Sequence, residues 1–486
     1  MRFTYLMLTF LLSSFLVAAQ TSQNVYSKEV EEKIAKVERS LSGWAKTSDN
    51  NWNIQERMKY HNIYGVSIAV VKDFKLEWAR GYGLADTSDK RPVTTQTLFQ
   101  AASISKSLNA VGVLKLVDKK NLDIQKDINS YLQSWKFPYD TAKSKNVPIT
   151  VSHLLSHTAG LTVHGFPGYK WTDALPSDKD ILDGTKPANT AAIRSEFQPG
   201  VRVKYSGGGT TVTKKIVMDL TGKRYDEYMR EEVLEPMGMV SSFFTQPPPP
   251  GSFPHLASAY YRNGTPVKGK FHIYPEQAAD GLWTNPTDLS RFIIEMQLSL
   301  EGKSNKVLSR DLANKMVTPV MENAGFGVFI DTKGNRKFFG HGGANEGFRC
   351  RYYGSLEGGD GIVIMVNSDN DAIIPEILNS VAAVYGWDNF TGQKVKRIVP
   401  VHIDTLASYV GTYNLEGITL QVIQKDRIFY FIQDQSPAVR MYFSSPSEFF
   451  IKEVNADFQF HRNAKGEVET ILIRQSGREF RAIRKR

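Results

Sequence analysis

The chain has 486 residues, 41% hydrophobic and 23% charged, with a formal charge of +10; these proportions exclude extended disorder and a polytopic membrane protein. Its single cysteine, Cys350, excludes an intrachain disulfide framework and any multi-cysteine zinc or iron–sulfur site. The basic excess forms neither an arginine-rich arm nor a basic stripe interleaved with aromatics, so it reads as a solvated surface and not as a nucleic-acid interface.

In chain order, Arg2 precedes an apolar run over residues 5–17, the small residues Ala18 and Ala19, and a polar stretch at 20–23. This pattern predicts a signal peptide over residues 1–19, with Val17 and Ala19 at the −3 and −1 positions of a cut before Gln20. The run is shorter than the roughly 20 apolar residues of a membrane span, and no later segment reaches that length. A secreted or periplasmic protein with no stable membrane insertion after cleavage is expected.

Val30, Ile34, Val37 and Leu41 fall at helical spacing and predict a helix over 30–46. Two strands follow at 66–71 and 76–79 around a turn, then a helix over 103–117. Further helices are expected at 152–156, 212–220, 225–233 and 288–298, and strands at 325–331, 349–355 and 361–367. This order implies an α/β body of the α+β kind over residues 20–400, with an antiparallel sheet built from both ends and helices between. Composition changes near 387–400. Beyond it, short runs that alternate apolar with polar, separated by turn residues, predict a small all-β barrel or sandwich over 401–486.

Four segments carry candidate chemistry. In Ser103-Ile104-Ser105-Lys106 a hydroxyl and an amine share one face of a helix start. Such an amine can take the hydroxyl's proton if burial or nearby positive charge lowers its pKa, and helix N–H groups can stabilise an oxyanion. In Lys204-Tyr205-Ser206-Gly207-Gly208-Gly209 a tyrosine beside a lysine suits a base, and glycines allow close backbone approach. Gly340-His341-Gly342-Gly343-Ala344-Asn345 puts a glycine-flanked histidine at a strand entrance, suited to a cleft wall. His153 and His157 are four apart, but Leu154 stands where the zinc-protease pattern needs glutamate, so helix packing and capping is the expected role and no metal is called for.

The order of these segments resembles the serine beta-lactamase-like family: class C beta-lactamases, their esterase and D-aminopeptidase relatives, and DD-peptidases. The resemblance spans about residues 30–385 and includes residues 65–71, the Ser103–Lys106 tetrad, Leu154–Leu161, Tyr205-Ser206-Gly207, Gly281-Leu282-Trp283-Thr284 with Asp288-Leu289, and the His341 segment. The C-terminal part, opening at Tyr409-Val410-Gly411-Thr412-Tyr413, is similar to the lipocalin-like β domain appended to such hydrolases. The resemblance implies Ser103 as acylated nucleophile, Lys106 as assistant to its deprotonation, and Tyr205 as general acid/base. It implies an oxyanion hole of the Ser103 and Ala344 N–H groups, with Gly207 and Gly343 also against substrate.

Two departures stand out. His341 replaces the family's common lysine, exchanging a fixed cation for a group expected to titrate near neutrality. Gly207 stands where lactamases carry asparagine, removing two polar contacts and, by expectation, enlarging the site. Both lower the expectation of efficient beta-lactam hydrolysis. No Gly-x-Ser-x-Gly elbow, phosphate loop or dinucleotide fingerprint occurs, and no cofactor is expected. The sequence thus predicts a secreted serine hydrolase acting through an acyl-enzyme on a small ester or peptide-type amide, cell-wall-derived substrates included. The alternatives are a penicillin-recognising DD-peptidase or weak beta-lactamase, and a non-catalytic peptidoglycan- or peptide-binding protein. Oligomeric state is not legible.

Overall fold

The computed structural model describes residues 26–48, 52–434 and 436–485; the expected signal peptide lies outside them. The body is organised by a seven-stranded antiparallel sheet. Its strands are β1 (Gly65–Lys72), β2 (Lys75–Asp86), β3 (Arg91–Pro92), β4 (Phe329–Lys333), β5 (Arg336–Asn345), β6 (Phe348–Ser355) and β7 (Gly361–Val366), in the order β3-β2-β1-β7-β6-β5-β4. The β1–β7 ladder, from Gly361 opposite Val71 to Val366 opposite Val66, joins the two ends of the body. Both strands are buried along almost their whole length, which is why they read as unbroken apolar runs.

Helices cover both faces. On one side α1 (Lys28–Arg39) joins the helix of residues Ile373–Tyr385 over Ile34, Val37, Trp78, Ile364 and Ile377. On the other lie α2 (Ser105–Asp118), α3 (Gly207–Thr221) and α4 (Pro286–Leu300), with Leu108, Val111, Val212 and Phe292 in a larger core. This is the mixed, antiparallel-sheet architecture expected from the sequence.

The element boundaries differ in instructive places. The helix expected over 30–46 ends at Arg39, where Ser40 caps it. The chain must then pass Lys452, whose carbonyl oxygen lies 2.1 Å from where a Cβ on Gly43 would sit. The strand expected over 325–331 begins only at Phe329. Gly327, with φ +66°, turns tightly against the Lys106 carbonyl, so the preceding residues cannot be extended. The 225–233 helix is regular only over Tyr225–Met229 and widens through Arg230–Leu234.

Residues Gly411–Arg484 contain nine antiparallel strands in one sheet. Its two edges, Val439–Arg440 and Tyr442–Phe443, are separated only by Met441, so the sheet curls into a nearly closed barrel. Aromatic rings fill it: Tyr409 stacks on Phe460 at 3.8 Å, and Phe449 on Phe458 at 4.7 Å. The barrel meets the body through the Ala45 N–H, which donates to the Lys452 carbonyl (3.1 Å), and through Glu453, which pairs with buried Arg57 at 3.3 Å.

Candidate active site

The segment before Ser103 is held by a short ladder in which Phe99 faces Thr284 and Gln100 faces Trp283. Ala102 then adopts φ +48°, a left-handed conformation that costs a non-glycine residue about 1–2 kcal/mol. This turn presents Ser103 to the cleft immediately before α2 begins. One turn on, Lys106 is 2% exposed. Its Nζ donates to Ser103 Oγ (2.9 Å) and to the Ala279 carbonyl (2.8 Å), and lies 3.3 Å from Asp280 Oδ1. Ser103 Oγ in turn donates to Asp280 Oδ1 at 3.0 Å.

Burial pushes the Lys106 ammonium down, but the charge of Asp280 and the neighbouring Tyr205 more than offset this, and it stands above the usual lysine value. Lowering by a positive neighbour, the condition set for an amine base, is therefore not met; the near neighbour is a carboxylate.

Tyr205 ends the loop before α3, whose first turn is capped by Ser206 Oγ accepting from the Gly209 N–H (2.9 Å). Its ring lies between those of His157 (4.3 Å) and His164 (4.9 Å), and its centroid is 5.1 Å from Lys106 Nζ. The Tyr205 hydroxyl is buried and without a hydrogen-bond partner among the described residues. His341, on β5, is 6.0 Å from the Tyr205 ring. Its Nδ1 is 2.6 Å from the Gly342 carbonyl, which can only accept, so Nδ1 carries the proton and Nε2 presents a lone pair. Burial, then the Lys106 charge, push His341 down to about 3. The expectation of a near-neutral titration is corrected: His341 is a neutral acceptor throughout the physiological range.

Ser103, Tyr205, His341, Gly343 and Ala344 line one cleft of about 740 Å³. Gly343 crosses directly over the Ser103 turn: a Cβ there would lie 2.3 Å from the Ala101 carbonyl oxygen and 2.4 Å from Cys350 Sγ. The Cys350 thiol donates to that same carbonyl (3.2 Å), and burial raises its pKa to about 12, so it packs rather than reacts. Gly207 is a second correction. It is buried under the 164–166 loop, its N–H donates to the His164 carbonyl (2.9 Å), and a Cβ would meet that oxygen and the Phe166 ring at 3.1 Å. The missing side chain therefore admits a loop and does not enlarge the cleft. His153 and His157 act separately: His153 Nδ1 accepts from the Thr150 N–H (3.2 Å) in a helix cap, and His157 packs under Tyr205.

Asp280 and the cleft residues His164 and Arg351 escaped the sequence reading. Only Asp280 had a usable signal, its place directly before the Gly281-Leu282-Trp283-Thr284 motif. A few residues earlier Glu276 is fully buried, neither oxygen has a partner among the described residues, and burial raises its carboxyl to about 8. Its folded pKa exceeds the unfolded one, so its contribution is intact below about pH 4.5. Between there and about 8 stability falls by roughly 1.4 kcal/mol per pH unit. Glu276→Gln should therefore match the parent's thermal midpoint at pH 4.5 and exceed it at pH 8, as differential scanning calorimetry would record.

The beta-lactamase family model matches residues 51–378, well over half the chain. The chain belongs to that family, a family of serine hydrolases. It is 21% identical over 434 residues to a penicillin-binding protein of Bacillus subtilis (strain 168), covering 83% of this chain and 91% of that one. In fold it is similar to the octameric penicillin-binding protein homologue from Pyrococcus abyssi, with a TM-score of 0.62, 19% identity and coverage of 89% and 98%. It is also similar to the D-amino acid amidase of Ochrobactrum anthropi SV3, with a TM-score of 0.56, 19% identity and coverage of 73% and 98%. Among the described residues no helix is long and apolar enough to cross a membrane.

Proposed function

We propose that this chain is an exported serine hydrolase that forms an acyl-enzyme on Ser103 and acts on an ester or peptide-type amide. One observation carries the reading: Ser103 Oγ lies 2.9 Å from the buried Lys106 Nζ on the wall of a cleft that also holds Tyr205 and His341. Ser103 attacks the carbonyl. Its own N–H and that of Ala344 stabilise the oxyanion, Gly343 lets the strand approach closely enough to supply the second donor, and Tyr205 protonates the leaving group and later activates water. His341, a neutral acceptor whose Nε2 is buried without a partner among the described residues, brings no positive charge of its own to that wall. Export rests on the N-terminal residue pattern.

A second observation refines the substrate. Arg351, opposite Gly342 and beside His341, lines the same cleft and makes no ion pair among the described residues, which favours substrates carrying an anionic group. Purified protein and Ser103→Ala should be assayed on short-chain esters, D-amino-acid amides, dipeptides with free and amidated C-termini, and a chromogenic cephalosporin. Turnover of an ester or amide that disappears in Ser103→Ala is expected. Binding without turnover across the panel would support a non-catalytic protein, and fast cephalosporin turnover a lactamase.

A further inference from the structure

Asp280 has the geometry of a working group. It is 4% exposed, and its Oδ2 is buried without a partner among the described residues. Leu282, two residues on, ties its segment to the Ser103 turn: the Ala101 N–H donates to the Leu282 carbonyl (2.8 Å) and the Leu282 N–H to Ser105 Oγ (3.0 Å), while Asn345 Nδ2 donates to the Asp280 carbonyl (3.0 Å). The titratable groups facing it are Lys106 on α2, and Tyr274 and Glu276 on its own segment; Tyr205 and His341 face Lys106.

The hydrogen bonds fix a direction. Lys106 Nζ meets three oxygens: Ser103 Oγ, the Ala279 carbonyl and Asp280 Oδ1. An ammonium has three hydrogens and no lone pair, and these partners use all three. A neutral amine would accept the Ser103 hydrogen, and Ser103 Oγ would then face the Asp280 carboxylate at 3.0 Å with no hydrogen between the two oxygens. With Lys106 an ammonium, the Ser103 proton bridges that contact to Asp280 Oδ1.

We propose that Asp280 is a catalytic residue whose Oδ1 accepts the Ser103 hydroxyl proton as Ser103 attacks, with Lys106 an ammonium at that step. This rests on Ser103 being the nucleophile. The Oγ–H bond breaks and its proton passes to Oδ1. The oxygen's electron pair forms the bond to the substrate carbonyl carbon, and the carbonyl π pair moves onto its oxygen. On collapse that pair returns, the bond to the leaving group breaks, and the leaving group takes a proton from Tyr205. Lys106 replenishes Tyr205 and recovers a proton from Asp280, so the serine's proton is balanced by the one that leaves.

The test is the acylation rate with p-nitrophenyl acetate from pH 5 to 10, in the full chain, for the parent, Asp280→Asn, Asp280→Ala and Ser103→Ala. Asp280→Asn, nearly isosteric, should acylate about 10²–10⁴-fold more slowly at every pH. In Asp280→Ala, added formate but not chloride should restore rate. If Lys106 is the acceptor, removing the carboxylate charge lowers the amine's pKa. Asp280→Asn would then acylate as fast or faster at pH 7, its profile displaced to lower pH, and the proposal would be overturned. Failure of the underlying reading looks different: Ser103→Ala would still acylate.

Discussion

Lys106→Ala should lower kcat/KM per folded molecule by about 10²–10⁴-fold, the range typical of a lost proton-transfer partner. Its ammonium orients the nucleophile through the 2.9 Å bond to Ser103 Oγ and compensates the Asp280 charge. Without it, the carboxylate is left buried beside a hydroxyl with no cation, and breaking a buried pair in this way costs about 3–5 kcal/mol. Steady-state kinetics on the best panel substrate, with the thermal midpoint measured in parallel, checks both effects. A variant with parental kinetics would remove Lys106 from the chemistry.

Tyr205→Phe should lose activity on the same scale while keeping or gaining stability. The ring is held by His157 and His164, contacts that phenylalanine preserves. The hydroxyl is buried with no hydrogen-bond partner among the described residues, an arrangement that costs the folded state and is relieved by deleting the oxygen. A fall of about 10²–10⁴-fold in kcat with an unchanged or raised thermal midpoint separates a proton-transfer role from a packing role. A matched loss of stability and activity would indicate the latter.

Local patterns were the legible part. The Ser103–Lys106 relation follows from helix spacing, because both residues belong to one turn. The barrel was visible because alternating residues face a single filled core. Tyr205 and His341 took their meaning from the resemblance, since nothing near them in sequence shows that they face Ser103. Asp280 stayed hidden because it reaches Lys106 across 174 residues, a distance at which a lone aspartate leaves no pattern. The charge states were equally hidden. His341 is neutral because of burial and Lys106, and Lys106 is charged because of Asp280, and both conditions arise only on folding. Gly207 misled for a related reason: a missing side chain reads as empty space, but a distant loop fills it. The strand carrying His341 was seen only at its entrance, because Gly340, Gly342 and Gly343 weaken a strand signal that close packing over the Ser103 turn requires.

The most direct measurement is intact-protein mass spectrometry after treatment with a fluorophosphonate, followed by peptide mapping of the adduct. The expected result is one adduct per chain on Ser103, absent in Ser103→Ala. An adduct mapped to another residue, or labelling that persists in Ser103→Ala, would contradict the assignment of the nucleophile.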